Sequence, residues 1–272
     1  MNEPKEVLLT IITVTYNAEK SLEKTIESVL AQKGYSAEMI MEWIFVDGMS
    51  QDHTFDILQN SIPRIEQRGI RTQIVREKDQ GIYDAMNKGI TRAHGRWVYM
   101  LNAGDVLYNE DVFAALEPRM YLSDAEIIYG DFCRRNTYIT QNRRIPPLQE
   151  LRQGMIFCHQ AVFIRDTFYH RRKYNQAYKY GGDYDLLLNA YLQGVEFEYV
   201  PVCIVFYDID GLTARQTARA YQDEYSIRKT QGIIRDTPQD KMRFGYGYAK
   251  RVVLTSIPQK LRWKLYKLIK EY

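Results

Sequence analysis

The first 130 residues alternate between β-branched apolar runs and stretches with a helical repeat, and this most constrains the fold. Residues 7–15 (VLLTIITVT) read as a buried strand. Asn17 is placed to cap the next helix, whose Leu22, Ile26, Val29 and Leu30 share one face. Residues 42–47 (EWIFVD) form a second strand ending in an acid. Ser50 or Asp52 then opens a helix carrying Phe55, Leu58 and Ile62. A short strand follows over 71–75, then Asp79-Gln80-Gly81 and a helix with Ile82, Met86 and Ile90. Residues 96–101 (RWVYML) make a fourth strand and 125–129 a fifth. A βαβαβ series of this kind predicts a mostly parallel central sheet with helices on both faces.

Ligands of such sheets sit beyond the carboxyl ends of the strands. The polar residues fall there: Thr15-Tyr16-Asn17, Asp47 and Asn102-Ala103-Gly104-Asp105. Asp and Asn also favour turns for local backbone bonding, so each alone is ambiguous; three strand ends converging on one crevice are less so. A dinucleotide-dependent oxidoreductase would need a glycine-rich turn after the first strand. Here that turn reads Tyr16-Asn17-Ala18-Glu19, with no glycine and no P-loop. The crevice must hold its ligand with side chains, with or without a metal ion.

The second half is less regular. Residues 134–155 read as a loop-rich connection, 161–164 and 198–206 as strands, and 183–193 and 213–231 as helices. Cys133, Cys158 and Cys203 show no metal-ligand spacing and read as reduced thiols of a cytoplasmic protein. The first residues lack the pattern of a secretory leader. Apolar runs reach only about eight residues, where a spanning helix needs about twenty. Charge is uneven: residues 241–272 hold nine Lys/Arg against one acid, Glu271, and the other 240 hold 28 against 33. A basic tail on a mildly acidic body signals a partner.

The segments TIITVTYNAEKSLEKTIESVLAQ, EWIFVDGMSQDHT and EKDQGIYDAMNKGITRAHGRWVYMLNAGD together resemble the nucleotide-binding half of family 2 glycosyltransferases. CHQAVFI and GGDYDLLL are similar to that family's acceptor half, in the expected order, so the resemblance covers about residues 7–212. It implies a GT-A fold of the Rossmann-like α/β class, with the transfer of sugar from a nucleotide-sugar with inversion. Among the family's branches, enzymes of bacterial surface-polysaccharide synthesis are the most similar. The expected organisation is a GT-A unit over 1–240 (about 1–131 for the nucleotide-sugar, about 132–240 for the acceptor) and a basic amphipathic tail over 241–272.

The resemblance assigns roles residue by residue. Thr15, Tyr16 and Asn17 end the first strand, where the family holds the nucleobase. Asp47 would accept a hydrogen bond from a uracil N–H; the family often has two acids here, and this chain has Asp47-Gly48. Asp79 would face the ribose or sugar, with Gly81 allowing close backbone approach at a helix start. Asn102 to Asp105 occupy the family's metal motif, normally Asp-x-Asp, which leaves Asp105 as the carboxylate for Mg²⁺ or Mn²⁺. The family's base is the Asp of a Glu-Asp pair at a helix start. The matching stretch is Gly181-Gly182-Asp183-Tyr184-Asp185, so Asp183 is the expected base, with Asp185 as the rival. His159 would contact acceptor or diphosphate, and Arg215 would pair with phosphate oxygens. A UDP-sugar is the expected donor and a glycan or lipid-linked glycan the expected acceptor.

Residues 258–272 place Leu261, Leu265, Leu268, Ile269 and Tyr272 on one helical arc, with lysines and Arg262 around the rest. The pattern suits the surface of an anionic membrane, and equally suits docking on the body. Nucleic acid is not expected, since no binding motif accompanies the charge. Peripheral attachment at the inner face of the plasma membrane is the expected location. A catalytically weak or inactive GT-A module that binds a nucleotide or a membrane partner is the alternative, kept open by the altered metal and base motifs.

Overall fold

The computed structural model of the chain describes residues 6–135, 140–143, 145–208 and 217–257. Arg215, its neighbours Gly211 and Thr213, and the expected tail helix over 258–272 lie outside them. Four parallel strands open the sheet: β1 (Leu9–Thr15), β2 (Met41–Asp47), β3 (Arg71–Arg76) and β4 (Trp97–Met100). β1 lies between β2 and β4, and β2 pairs with β3, in parallel register throughout. Helices α1 (Leu22–Leu30), α2 (Thr54–Gln67) and α3 (Ile82–Ile90) make the crossovers.

The full order is β3-β2-β1-β4-β8-β6-β9-β5, with β7 on β6. The later strands are β5 (Val106–Leu107), β6 (Ile127–Arg135), β7 (Thr140–Arg143), β8 (Val162–Arg165) and β9 (Phe197–Asp208). β8 runs antiparallel to both β4 and β6, while β9 runs parallel to β6. The sheet is therefore mixed in its second half. Residues 134–155, expected to be loop-rich, contribute the end of β6, β7 and a 3-10 turn over Leu148–Arg152.

Both faces are covered. β1 and β2 are buried at every position, because alternate residues feed opposite cores. Leu9, Ile11, Trp43 and Phe45 join the face of α1, α2 and α4 (Val112–Leu122). Ile12, Val14, Ile44 and Val46 join the face of α3, α5 (Asp166–Arg171) and α6 (Gly182–Leu192). Two further helices follow, α7 (Thr217–Thr230) and α8 (Pro238–Ser256). Among the described residues no helix is long and apolar enough to cross a membrane.

One local expectation changes. Asn17 does not cap α1, whose N-cap position is Ser21, without a side-chain cap bond. Asn17 instead sits at φ 51°, and its amide oxygen accepts from the Gln51 N–H at 2.9 Å. The turn after β1 is thus tied sideways to the turn after β2.

Candidate active site at the strand ends

The register aligns Thr15 with Asp47 and Asp47 with Arg76 at one end of the sheet. Asp47 is fully buried. Its carboxylate accepts from the Thr15 hydroxyl at 3.1 Å, from the Ser50 N–H at 3.1 Å and from the Ser50 hydroxyl, and it faces Arg76 Nε at 3.4 Å. A buried carboxylate needs such partners, and these use up its lone pairs. Asp47 is therefore not presented to a nucleobase, as the sequence suggested; it fastens two loops. The Ser50 hydroxyl passes the tie on by accepting from the Asn17 N–H at 2.9 Å. Thr15 is buried in the same knot, whereas Tyr16 stands 64% exposed beside it.

The acid that faces this cradle is Asp79. One oxygen accepts from the Gly81 N–H at 3.0 Å, closing the turn before α3. The other lies against Gly48: a Cβ built there would sit 2.2 Å from Asp79 Oδ2 and 3.5 Å from the Tyr16 ring. Gly48 is thus the residue that lets a carboxylate lie across the end of β2 beside an exposed aromatic ring. Gly81 has φ 134°, with nothing within 4 Å of a built Cβ, which leaves its backbone open to close approach.

The second half of the site comes from the 3-10 turn His159–Ala161, just ahead of β8. His159 Nδ1 lies 3.3 Å from Asp183 Oδ2, and its Nε2 lies 3.1 Å from Asn102 Nδ2. An ionised carboxylate only accepts, so Nδ1 donates to Asp183, and the Nε2 edge faces the Asn102 amide. Asp183 stands in the first turn of α6, and its side chain is 20% exposed. Its other oxygen accepts from the Tyr83 hydroxyl at 3.1 Å and the Tyr184 N–H at 2.9 Å. Burial alone would raise its pKa. Hydrogen bonds and charge from His159, then the Tyr184 N–H and the Tyr83 hydroxyl, outweigh it and hold the carboxyl below its ordinary range. Desolvation, followed by the Asp183 charge, pushes the Tyr83 hydroxyl well up, so it stays a donor.

Gly182, which stands where the family places a Glu, has its own reason. A Cβ there would meet the Tyr83 ring at 2.8 Å. Losing that side chain admits Tyr83, which stacks on Tyr174 at 5.4 Å. Asp185 points the other way. It is 2% exposed and accepts from Arg172 Nη2 at 2.7 Å and Gln231 Nε2 at 2.9 Å. It clamps α6 against the segment after α5 and the residue after α7.

Asp105 is also turned inward. It is 7% exposed, and Gln160 Nε2 donates to its carboxylate at 2.6 Å. Cys158 Sγ fixes the Gln160 amide by donating to its oxygen at 2.7 Å, and the Tyr99 hydroxyl donates to the Gln160 carbonyl at 2.9 Å. By themselves the residues of this turn make no complete cage for a divalent ion. Asn102 Oδ1, a buried atom without a hydrogen-bond partner, offers one neutral oxygen, and Gly104 offers none. Among the described residues no three His, Cys, Asp or Glu converge. A hard dication takes about six oxygens, most of them from water and substrate phosphates where the protein offers one or two carboxylates. Asp105, the expected metal ligand, is engaged by Gln160 and seats the Asn102 loop.

Adjacent residues of one turn, His159 and Gln160, therefore bridge the two halves. One reaches Asp183 and Asn102; the other reaches Asp105. Tyr83, Gln160, Arg172 and Gln231 carried no sequence signal as site residues. A glycine in place of an expected acid was the available hint for Tyr83.

The comparisons with known proteins give the family and the fold. The family model "Glycosyl transferase family 2" matches residues 10–179. The PGL/p-HBAD biosynthesis glycosyltransferase of Mycobacterium bovis (strain BCG / Pasteur 1173P2) is 30% identical over 207 residues, covering 75% of this chain and 78% of that protein. TuaG of Bacillus subtilis (strain 168), a glycosyltransferase assigned to teichuronic acid biosynthesis, is 37% identical over 119 residues, 43% of this chain and 44% of its own. S. aureus TarS 1–349 in complex with UDP superposes at a TM-score of 0.62 with 14% identity, over 81% of this chain and 65% of that one. The mannosyltransferase PcManGT of Pyrobaculum calidifontis, in complex with GDP-Man and Mn²⁺, gives 0.63 with 14% identity, over 92% and 73%. At such identities the structural likeness speaks for the fold, which is GT-A.

Proposed function

The chain belongs to glycosyl transferase family 2 and is a glycosyltransferase, and on that premise we propose that it moves a sugar, with inversion, from a nucleotide-sugar to a hydroxyl of a glycan or lipid-linked glycan. A UDP-sugar is the first donor to test. The process is cell-surface polysaccharide or glycolipid synthesis, a reading supported by the named roles of the mycobacterial and Bacillus relatives. The observation that carries the reading is Asp183: a partly exposed carboxylate, held ionised by His159 and Tyr83, beside the Asn102 loop.

In this reading the donor lies across the strand ends. Tyr16 offers a ring face to the base, framed by Thr15 and Asn17. Asp79 Oδ2 accepts the base's ring N–H, in place of the buried Asp47. The Gly81 backbone borders the ribose. Asn102 and His159 face the diphosphate, with Arg215 assigned to it from sequence alone. Asp183 takes the proton of the acceptor hydroxyl as that oxygen bonds to the sugar C1, on the face opposite the leaving group. The C1–O bond breaks and its electron pair leaves with the nucleoside diphosphate. His159 holds the Asp183 carboxylate in place and donates through Nδ1. A cytoplasmic, membrane-peripheral location, with residues 258–272 on an anionic surface, belongs to the same reading and rests on their basic and apolar sequence.

The test is Asp183→Asn. Transfer should fall by about 10²- to 10⁴-fold, while nucleotide binding by calorimetry stays as in the wild type. Near-full turnover would refute the base assignment, and wild-type protein that binds no nucleotide would refute the donor site.

A further inference from the structure

Helix α8 has two faces of different character. The inner face packs on α7: Phe244 lies 5.5 Å from the Tyr221 ring and 4.3 Å from the Tyr225 ring, and the Arg251 guanidinium covers Tyr221 at 3.7 Å. The outer face is apolar and open. Met242 is 69% exposed, Tyr246 75% and Val253 62%, with Ala249 exposed between them. The spacing of four, three and four residues puts this stripe within an arc of about 60° at 3.6 residues per turn. Exposed Val252 widens it.

The stripe is edged by cations. Arg243 and Lys250, both exposed, fall on one flank, and exposed Lys241, which also lies 3.7 Å from Asp236, falls on the other. The one acid within α8, Asp240, belongs to its N-terminal capping box with Thr237 and lies on the inner side. An apolar stripe between two cationic flanks is the pattern of a helix lying in a lipid interface.

We propose that this outer face of α8 rests on an anionic lipid surface, with Met242, Tyr246 and Val253 at the headgroup boundary and Lys241, Arg243 and Lys250 over lipid phosphates. Charge selects the occupant. A second copy laid on the same face would bring cationic flanks together with no acid between them, whereas anionic lipid neutralises them. The sequence beyond the described residues continues the trend, adding five Lys/Arg against Glu271. The proposal assigns the contact to α8 itself and does not depend on the glycosyl-transfer reading.

The test is co-sedimentation of the full chain with vesicles of phosphatidylcholine containing about 30 mol% phosphatidylglycerol, against phosphatidylcholine alone. The wild type should partition onto the anionic vesicles, less so at high salt. Tyr246→Glu combined with Val253→Glu should lower that partition at least about tenfold, since both apolar area and charge balance are lost. Both side chains are exposed, so thermal stability and nucleotide binding should not change, and a variant that keeps them is folded. Unchanged partition of the folded variant would overturn the proposal, leaving lipid contact to the later residues. So would a wild type that ignores anionic vesicles. A concentration-dependent dimer that the variant abolishes, seen by sedimentation, would overturn it in favour of a second copy.

Discussion

Gly48→Ala is the sharpest test of how this site reads a base. The added Cβ would lie 2.2 Å from Asp79 Oδ2, where ordinary contact begins at 3.4 Å, so the carboxylate must retreat by about 1.2 Å. Gly48 is not in the left-handed backbone region, and the Tyr16 ring at 3.5 Å is in normal contact, so the fold should hold. The Asp79 tie to the Gly81 N–H also survives a swivel of the free oxygen. What is lost is the charge-assisted hydrogen bond to the base, worth about 1.5–3 kcal/mol. That corresponds to about 10- to 150-fold in affinity. Uracil and guanine carry a ring N–H there; cytosine does not. Calorimetry with UDP, GDP and CDP should show the wild type preferring UDP or GDP, and Gly48→Ala and Asp79→Ala losing the preference while CDP binding stays put. If Asp79→Ala weakens all three nucleotides equally, Asp79 only closes its turn. If Gly48→Ala keeps the full preference, the carboxylate does not read the base at all.

Three further outcomes follow from the hydrogen-bond network. His159→Ala should raise the pKa of Asp183, so that the acid limb of the pH–rate profile moves toward neutrality. The sign for stability is the same: a carboxyl held low in the folded state stabilises above its unfolded value of about 3.9, an advantage lost as pH falls through its depressed value and reduced in His159→Ala. Asp185→Ala leaves Arg172 charged and half-buried without its partner, so stability should fall by several kcal/mol, at most about 3–5, in denaturant titration; a small loss would show that water replaces the clamp. Asp105→Ala strands the buried Gln160 amide and should cost about 1–3 kcal/mol while the response of donor binding to Mn²⁺ is unchanged; a lost Mn²⁺ response at unchanged stability would return Asp105 to the metal.

The first four strands were legible because both of their faces are buried and their helices carry a regular apolar repeat. β2, predicted over 42–47, spans Met41–Asp47. The later strands were placed but their directions were not, since nothing in 161–164 tells a strand that it will run antiparallel between β4 and β6. At the candidate site, the sequence named loops that the fold does bring together but could not say which carboxylate turns outward. Asp47 and Asp105 look like ligands because they follow strands; tertiary contacts from Thr15 and Arg76 to the one, beside its local bond from Ser50, and from Gln160 to the other draw them in. Tyr83 reaches Asp183 from 100 residues away and leaves no local mark.

The division of the acids has an electrostatic logic. A nucleotide diphosphate is strongly anionic, and every unpaired carboxylate facing it would repel it in a crevice of low dielectric. This chain brings Asp47, Asp79, Asp105 and Asp183 to the same end of the fold, yet two of them are spent inside it. Asp47 is shared among Thr15, Ser50 and Arg76, and Asp105 is bound by Gln160. Asp183 keeps its charge but shares it with His159 and Tyr83. Asp79 is left with one oxygen against Gly48, beside Tyr16, which is the base end in the proposed donor pose. If the donor lies as proposed, the arrangement keeps bare negative charge away from its diphosphate while leaving Asp79 and Asp183 accessible, and it does so with residues that a strand-end pattern alone would have counted as ligands.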